Sequence, residues 1–187
     1  MAQKRESGAK GERQRGNPAG PIQNPLDLLA ADHSAERDAC ALITRIAESD
    51  SPMLDEAKRV LSFLLGAYSN HLKDEEEDLF PLLRERCEPE DEIDRILRTL
   101  ETHHHHPRSD CAPIIAILES SIEKPGAISA KQRKTLAEFA DRSRRHLRIE
   151  NAIILPLARA RLTKADLAGL RQHVFQRRGL GGGSDVG

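Results

Sequence analysis

Aromatic residues are scarce in this chain, and neither sign of charge dominates it. Only 3% of the 187 residues are aromatic, and none is Trp. Sheet cores draw on aromatic and β-branched residues, whereas Leu, Ile, Ala, Arg and Glu are abundant here, so the composition favours packed amphipathic helices. The formal net charge is -1, without the basic surface that nucleic acid or anionic lipid requires. We therefore expect an all-α protein with no nucleic acid and no membrane among its partners.

Cysteine pairs and long apolar runs are also missing. The cysteines, Cys40, Cys87 and Cys111, are odd in number and widely spaced, which fits reduced thiols better than a disulfide framework. No apolar run is long enough to span a bilayer, and the opening stretch MAQKRESGAKGERQRG lacks the apolar segment of a signal peptide. We expect a cytoplasmic protein.

The ends of the chain differ in composition from its middle. Residues 1–22 are polar, with too little apolar surface to offset the entropy of ordering them, and 179–187 (GLGGGSDVG, from Gly179) are rich in Gly. Both are predicted to be disordered tails. Between them we expect one domain, 23–162, followed by a short C-terminal helix, 163–178.

Capping signals mark where the helices begin. Asn24 and Pro25 are suited to the N-cap and first position of a helix that runs to about Glu48. Ser51 and Pro52 repeat the signal and predict a second helix that extends to Cys87. Pro81 is expected to kink that helix or to end its regular part.

The second half of the chain carries three more helix signals. EPEDE (88–92) starts a third helix, which Pro107 and Pro113 interrupt. SAKQ (129–132) is a capping box for a fourth helix to Leu162, and TKAD (163–166) opens a short fifth. Long helices with short connections predict an up-down-up-down four-helix bundle, in which the inner stripe of each helix faces a common axis.

Two copies of one motif stand on the second and fourth helices. HLKDE (71–75) and HLRIE (146–150) each place a histidine four residues before a glutamate, so that both side chains lie on one helix face. The apolar residues at the same spacing predict that this face is buried: Leu64, Tyr68, Leu79 and Leu82 on one helix, and Phe139, Ile153 and Leu157 on the other. A buried carboxylate without a partner costs several kcal/mol, so it needs a proton or a cation. A bound metal is the hypothesis we favour.

The first and third helices offer further histidines. His33 lies on the predicted inner stripe of the first helix. On the third helix, the spacing from Leu97 and Leu100 to Cys111 and Leu118 selects His104 from the run HHHH (103–106), and directs the other three sideways or outward.

The order His, His-x-x-x-Glu, His, His-x-x-x-Glu resembles the hemerythrin-like family with an HHE cation-binding domain, over roughly residues 24–162. HLKDEEEDLFPLL and HLRIENAIILPLARARL are similar to the two glutamate-bearing helices of that family, including the proline. The resemblance implies a four-helix bundle around a non-haem di-iron centre. Carried over by position, the implied metal ligands are His33, His71, Glu75, His104, His146 and Glu150.

One position departs from the family pattern. Oxygen-carrying hemerythrins have a further histidine four residues after the one on the third helix, whereas this chain has Arg108. The angular positions of His103, His105 and His106 make them poor substitutes on an ideal helix. An unfilled coordination position favours reactivity or sensing over the storage of dioxygen.

The donor set also bears on the metal and on the function. Imidazole and carboxylate suit iron, manganese or zinc, and bridging carboxylates favour iron or manganese. With the resemblance, we expect two Fe ions rather than manganese or zinc. We expect a cytosolic metal-binding protein that binds or senses dioxygen, nitric oxide or iron. The alternatives are a di-iron oxidoreductase acting on peroxide or nitric oxide, and a metal-free helical interaction module; the sequence leaves enzyme activity and oligomeric state open.

Three further residues have two interpretations each. Tyr68, one turn before His71, either donates a hydrogen bond to a carboxylate ligand or packs in the core. His103 is a separate candidate for a residue that supports the ligands. Cys40 and Cys111 lie seven residues after His33 and His104 and are either small core residues or redox partners of the metal.

Overall fold

The computed structural model describes the backbone of residues 24–104 and 107–180, and the side chains of 24–102 and 111–180. Within these ranges all the regular structure is helical, and it forms six helices and one 3-10 turn. The prediction of an all-α fold is confirmed.

The first helix, α1, is Pro25–Glu48, and it begins as predicted. The Asn24 side chain caps it by accepting a hydrogen bond from the Leu26 amide at 2.9 Å. Pro25 needs no such partner because it has no amide hydrogen, and Asp27 lies favourably in the positive first turn.

The second helix, α2, begins at Leu54, and the prediction that Ser51 caps it is wrong. Its N-cap residue, Met53, makes no capping side-chain bond. Ser49 and Ser51 instead close the preceding turn, since the Ser49 hydroxyl accepts from the Ser51 amide at 3.1 Å and donates to the Ser51 carbonyl at 2.8 Å. The backbone of Ser51 is therefore held in the turn that precedes the helix.

Helix α2 continues to Arg86 but contains two π-helical turns. Its successive segments are Leu54–Phe63, the π turn Leu64–Tyr68, Ser69–Lys73, the π turn Asp74–Leu79, and Phe80–Arg86. Pro81 occupies the start of the last segment, directly after the second π turn. The wider turn accommodates the proline ring and its missing amide, so the regular part is interrupted, as predicted, although the helix does not end there.

The third and fourth helices, α3 (Ile93–His104) and α4 (Pro107–Glu123), replace the interrupted third helix of the prediction. A 3-10 turn, Pro89–Asp91, precedes α3 and is closed by a capping box between Glu88 and Asp91. Glu92 then takes a left-handed conformation (φ 49°), so the α-helix starts later than EPEDE suggests.

Both remaining capping boxes are confirmed. Helix α5 consists of Ala130–Ile149, the π turn Glu150–Ile154 and Leu155–Arg161, and Ser129 and Gln132 cap its start. The C-terminal helix α6, Lys164–Arg177, starts at the box formed by Thr163 and Asp166.

The helices enclose two apolar clusters. Helix α1 packs on α2 and α5, α2 packs on α4, and α6 lies against α1 and the second π turn of α2. The first cluster has Leu29, Leu79, Phe80, Leu97, Ile154 and Leu170 among its members. The second contains Cys40, Ile43, Val60, Ile114, Leu118 and Phe139. Along α1, α2 and α5, the buried histidines and glutamates come between residues of one cluster and residues of the other, so they form a polar layer between two apolar cores.

The π turns shift the buried face by one residue, which corrects three predicted core positions. Leu82, Ile153 and Leu157 are only half-buried. Leu83, Ile154 and Ala158 take the interior instead, each 0% exposed. Among the described residues, no helix is both long enough and apolar enough to cross a bilayer.

Candidate metal centre

The polar layer contains three histidines and three glutamates from α1, α2 and α5. Their exposed fractions lie between 0% and 5%; the residues are His33, Glu36, His71, Glu75, His146 and Glu150. Five of these are predicted ligands, and Glu36 is not. The side chains of His104 and His103, also predicted, lie outside the described residues.

Four of these side chains converge on one point. One donor atom from each of His33, His71, Glu75 and Glu150 lies within 4.8 Å of the others. His33 Nε2 is 3.6 Å from Glu75 Oε1 and 3.5 Å from Glu150 Oε2, and His71 Nε2 is 3.6 Å from Glu75 Oε1. Two ligands of one transition-metal ion, each about 2.1 Å from it, lie roughly 3 to 3.5 Å apart. These three histidine–glutamate distances are close to that spacing and longer than ordinary N–H···O hydrogen bonds.

The orientation of His33 supports the same interpretation. Asn151 donates its Nδ2 hydrogen to the Leu147 carbonyl at 2.7 Å, so its Oδ1 faces His33 Nδ1 as an acceptor at 3.2 Å. The Nδ1 atom of His33 must then carry the hydrogen, which leaves a lone pair on Nε2. That lone pair is fully buried, has no hydrogen-bond partner in the described part of the chain, and points at two carboxylates.

Glu150 faces two histidines with different oxygens. Its Oε2 atom is 3.5 Å from His33 Nε2, whereas Oε1 is in direct contact with His146 Nε2. His146 is not part of the convergent group of four. The carboxylate of Glu150 thus lies between two groups of donors.

The electrostatics of the layer call for positive charge. Burial and the charge of Glu150 raise the pKa of Glu75 well above its usual value and that of Glu36 to about 7. Burial opposes ionisation of Glu150 too, but His146, His71 and His33 together lower its pKa to about 2. Burial also disfavours charge on His71, yet Glu75, Asp32 and Glu150 raise its pKa to about 10. The charge on Glu150 makes ionisation of Glu36 and Glu75 less favourable. A bound cation would reduce this repulsion between the carboxylates.

A second set of contacts positions His71. Its Nδ1 atom is 3.6 Å from Asp32 Oδ2, and Asp32 in turn accepts hydrogen bonds from Arg178 at 3.0 and 2.6 Å. Arg178 also donates to Asp74, which is 0% exposed. The end of α6 is therefore attached to α1 and α2 beside the histidine.

Tyr68 and the cysteines lie in or next to the apolar cores. Tyr68 is half-buried and packs on the ring of Phe63, with 5.7 Å between centroids. Cys40 and Cys111 belong to one apolar cluster, Cys87 is half-buried, and none of the three forms a disulfide bond.

The sequence interpretation missed Glu36, Asn151 and Asp32. Glu36 was detectable, since it follows His33 by three residues and precedes Cys40 by four on the same stripe. Asn151 and Asp32 stand beside predicted ligands, but their roles depend on contacts with His33 and with Arg178 that no local pattern indicates.

A comparison with protein families supports the metal interpretation. The model described as "Hemerythrin HHE cation binding domain" matches residues 24–158, which agrees with the region of resemblance. No curated protein matches the chain. Because the match covers most of the chain and includes every residue of the polar layer, the protein belongs to the hemerythrin HHE cation-binding domain family.

Proposed function

We propose that this protein holds a non-haem di-iron centre in its polar layer and uses it to bind or sense dioxygen, nitric oxide or iron in the cytosol. The observation that carries the proposal is the buried lone pair of His33 Nε2, 3.5 and 3.6 Å from two carboxylates. A nitrogen lone pair and carboxylate oxygens repel each other unless a proton or a cation lies between them. Membership of a cation-binding family favours the cation.

The proposed architecture is a four-helix bundle with up-down-up-down topology. Its four rods are α1, α2, the pair α3 and α4, and α5, which together make the domain 23–162. Helix α6, in the segment 163–178, packs on α1 and on the second π turn of α2. The predicted tails, 1–22 and 179–187, lie outside the described residues except for Gly179 and Leu180, whose amides donate to carbonyls near the end of α6.

The donors divide into two proposed ion positions. At the first, His33, His71, Glu75 and Glu150 Oε2 converge. At the second, His146 contacts Glu150 Oε1, and His104 is a further ligand by its place in the family pattern. Glu150 would then contribute one oxygen to each position.

Iron suits this set of donors. Imidazole and carboxylate without thiolate match iron, and two ions that share a carboxylate fit iron better than zinc. Bound iron would supply redox chemistry and an affinity for diatomic ligands. The protein residues exclude water from the layer and orient the imidazoles through Asn151 and Asp32.

Anaerobic reconstitution with ferrous iron tests the proposal. We expect about two iron ions per chain, and a ferric charge-transfer band in the near-ultraviolet to visible range after exposure to air. Glu75→Gln should weaken binding, whereas Glu85→Gln, at an exposed position on the same helix, should not. Less than about one ion per chain, with no thermal stabilisation by iron, would refute the proposal.

Turnover distinguishes the binding protein from an enzyme with the same centre. Steady-state consumption of peroxide or nitric oxide by the iron-loaded protein would assign it to the di-iron oxidoreductases. Stoichiometric binding without turnover is the result we expect.

A further inference from the structure

Glu36 is a buried carboxylate that the ligand set described above does not use. It is 3% exposed, and neither of its oxygens has a hydrogen-bond partner in the described part of the chain. The hydroxyl of Ser143 is close enough to lower the pKa of Glu36 slightly, but it is not in hydrogen-bonding geometry. A carboxylate so placed costs several kcal/mol unless something neutralises it.

The position of Glu36 relates it to the second group of donors. It lies one turn after His33 on α1, the helix that packs most extensively on α5. The buried Ser143, which lies beside Glu36, precedes His146 by one turn on α5. The charges that act on Glu36 include those of Glu150, His71 and His146. Glu36 is not one of the four residues that converge within 4.8 Å, and neither is His146.

We propose that Glu36 is a carboxylate ligand of the second ion position, beside His146 and Glu150. The proposal rests on the di-iron function proposed above and adds a ligand that the family pattern does not contain. Its carboxylate supplies oxygen donors of the type that iron and manganese accept. It also explains how the second position is completed in a chain with Arg108 where oxygen-carrying relatives have a histidine.

The test compares Glu36→Gln with the wild-type chain by anaerobic titration with ferrous iron and by metal analysis after gel filtration. Gln keeps the shape of Glu and removes the charge. We expect one ion to bind as in the wild type, and the second to bind more weakly by more than about tenfold. Asp38→Asn removes an exposed carboxylate from the same helix and should bind iron as the wild type does.

The stability of the metal-free form separates a ligand from a structural residue. Because Glu36→Gln removes an unpartnered buried carboxylate, the metal-free variant should melt at the same temperature as the metal-free wild type or higher. Glu36→His, which replaces one donor by another, should bind the second ion more tightly than Glu36→Gln. If Glu36→Gln lowered the melting temperature of the metal-free form, or lost both ions together, Glu36 would be structural and the proposal would be overturned.

Failure of this proposal can be distinguished from failure of the proposed function. If Glu36→Gln binds two iron ions with wild-type affinity, the Glu36 assignment is wrong and the di-iron function stands. If the wild-type chain itself binds no iron, both are wrong.

Discussion

Glu150 shows how burial changes the meaning of a common helical pair. A His-x-x-x-Glu pair on a helix surface is usually a weak, solvent-screened interaction worth about 0.2–0.5 kcal/mol. Glu150 is 0% exposed, and its two oxygens face His33 and His146. A side chain whose two oxygens face different histidines is positioned to join two groups of ligands.

Substitution of Glu150 should therefore impair both proposed ion positions. We predict that Glu150→Gln lowers the iron content from about two ions per chain to less than one, as measured by metal analysis after anaerobic loading, because the amide cannot supply two anionic donors. Glu138→Gln, on the same helix but in an exposed pair with Lys134, is the control and should load fully. Retention of two ions by Glu150→Gln would contradict the bridging role.

The thiols should differ in reactivity because they differ in environment. Burial raises the pKa of Cys40 to about 12, and Cys111 is only 4% exposed. Cys87 is only half-buried, although burial raises its pKa as well. We predict that Cys87 reacts first with an aromatic disulfide reagent at pH 8, and that the other two react only after unfolding. If Cys87→Ser left the fast phase unchanged, the packing interpretation of Cys40 and Cys111 would be wrong, and their redox role would regain support.

At the scale of the element, the π turns decide which residues are buried. Each of the two later π turns contains a proposed glutamate ligand: Glu75 in Asp74–Leu79 and Glu150 in Glu150–Ile154. In both cases a proline stands at the start of the segment that follows. A wider turn inserts one residue, so the inner stripe passes to Leu83 and Ala158 in the segments that follow. A strict helical period cannot predict this shift, because it depends on packing against neighbouring helices.

The start of α6 should be sensitive to acid. Hydrogen bonds from Arg86, at 2.8 and 3.0 Å, and from Thr163 hold the pKa of Asp166 below its usual value of 3.8. A carboxyl group whose pKa is lower in the folded state stabilises the fold above its unfolded pKa and loses that contribution as the pH falls below it. We predict that Asp166→Asn is less stable than the wild type at pH 6, and that the difference shrinks as the pH falls from 4 towards 2. Urea denaturation across this range measures it; a difference independent of pH would show that charge is not involved.

The attachment of α6 depends on Arg178. This side chain is 11% exposed and donates to Asp32 and to the fully buried Asp74. Burial raises the pKa of Asp74, whereas the hydrogen bonds and charges of Arg178 and Arg177 lower it. We predict that Arg178→Met destabilises the protein by about 3 kcal/mol in urea denaturation, because it leaves two carboxylates underpaired.

A double variant tests the cause of that loss. In Arg178→Met combined with Asp74→Asn, the uncompensated charge at position 74 is gone, so we expect part of the stability to return. Additive losses in the two variants would show that packing of the arginine side chain, rather than charge pairing, attaches the helix.

At the scale of the whole molecule, a charged layer separates two apolar cores. Three buried glutamates and three buried histidines interrupt the apolar interior between the cluster around Phe80 and the cluster around Ile43. Burial and the charge of Glu150 raise the pKa of Glu75, whereas His146, His71 and His33 lower the pKa of Glu150, so only part of the layer's negative charge is balanced by protein groups. Bound ions would therefore stabilise the whole fold as well as its site.

Removal of metal should lower the thermal stability. A ligand at 100 times its dissociation constant stabilises the native state by about 2.7 kcal/mol, which corresponds to roughly 5 to 10 °C for a protein of this size. We predict a shift of this size between iron-loaded and chelator-treated protein in differential scanning calorimetry. Equal melting temperatures would indicate that the layer is occupied by protons instead.

Local patterns in the sequence determined the features that depend on residues close together in the chain. Asn24, Ser129 and Thr163 predicted helix starts correctly, because a capping bond joins residues two or three positions apart. The same locality placed His71 with Glu75 and His146 with Glu150 on shared faces, and both pairs are buried. The Ser51 signal was wrong because the amide and carbonyl of Ser51 bond with Ser49 in the preceding turn, and the EPEDE signal placed the start of α3 too early.

The tertiary structure decided what depends on residues far apart in the chain. It turned His33 towards Glu75 and Glu150 through Asn151, left Glu36 buried without a partner, and connected Asp32 to Arg178. These arrangements arise when separate helices pack and shut water out, so no spacing within a single helix encodes them.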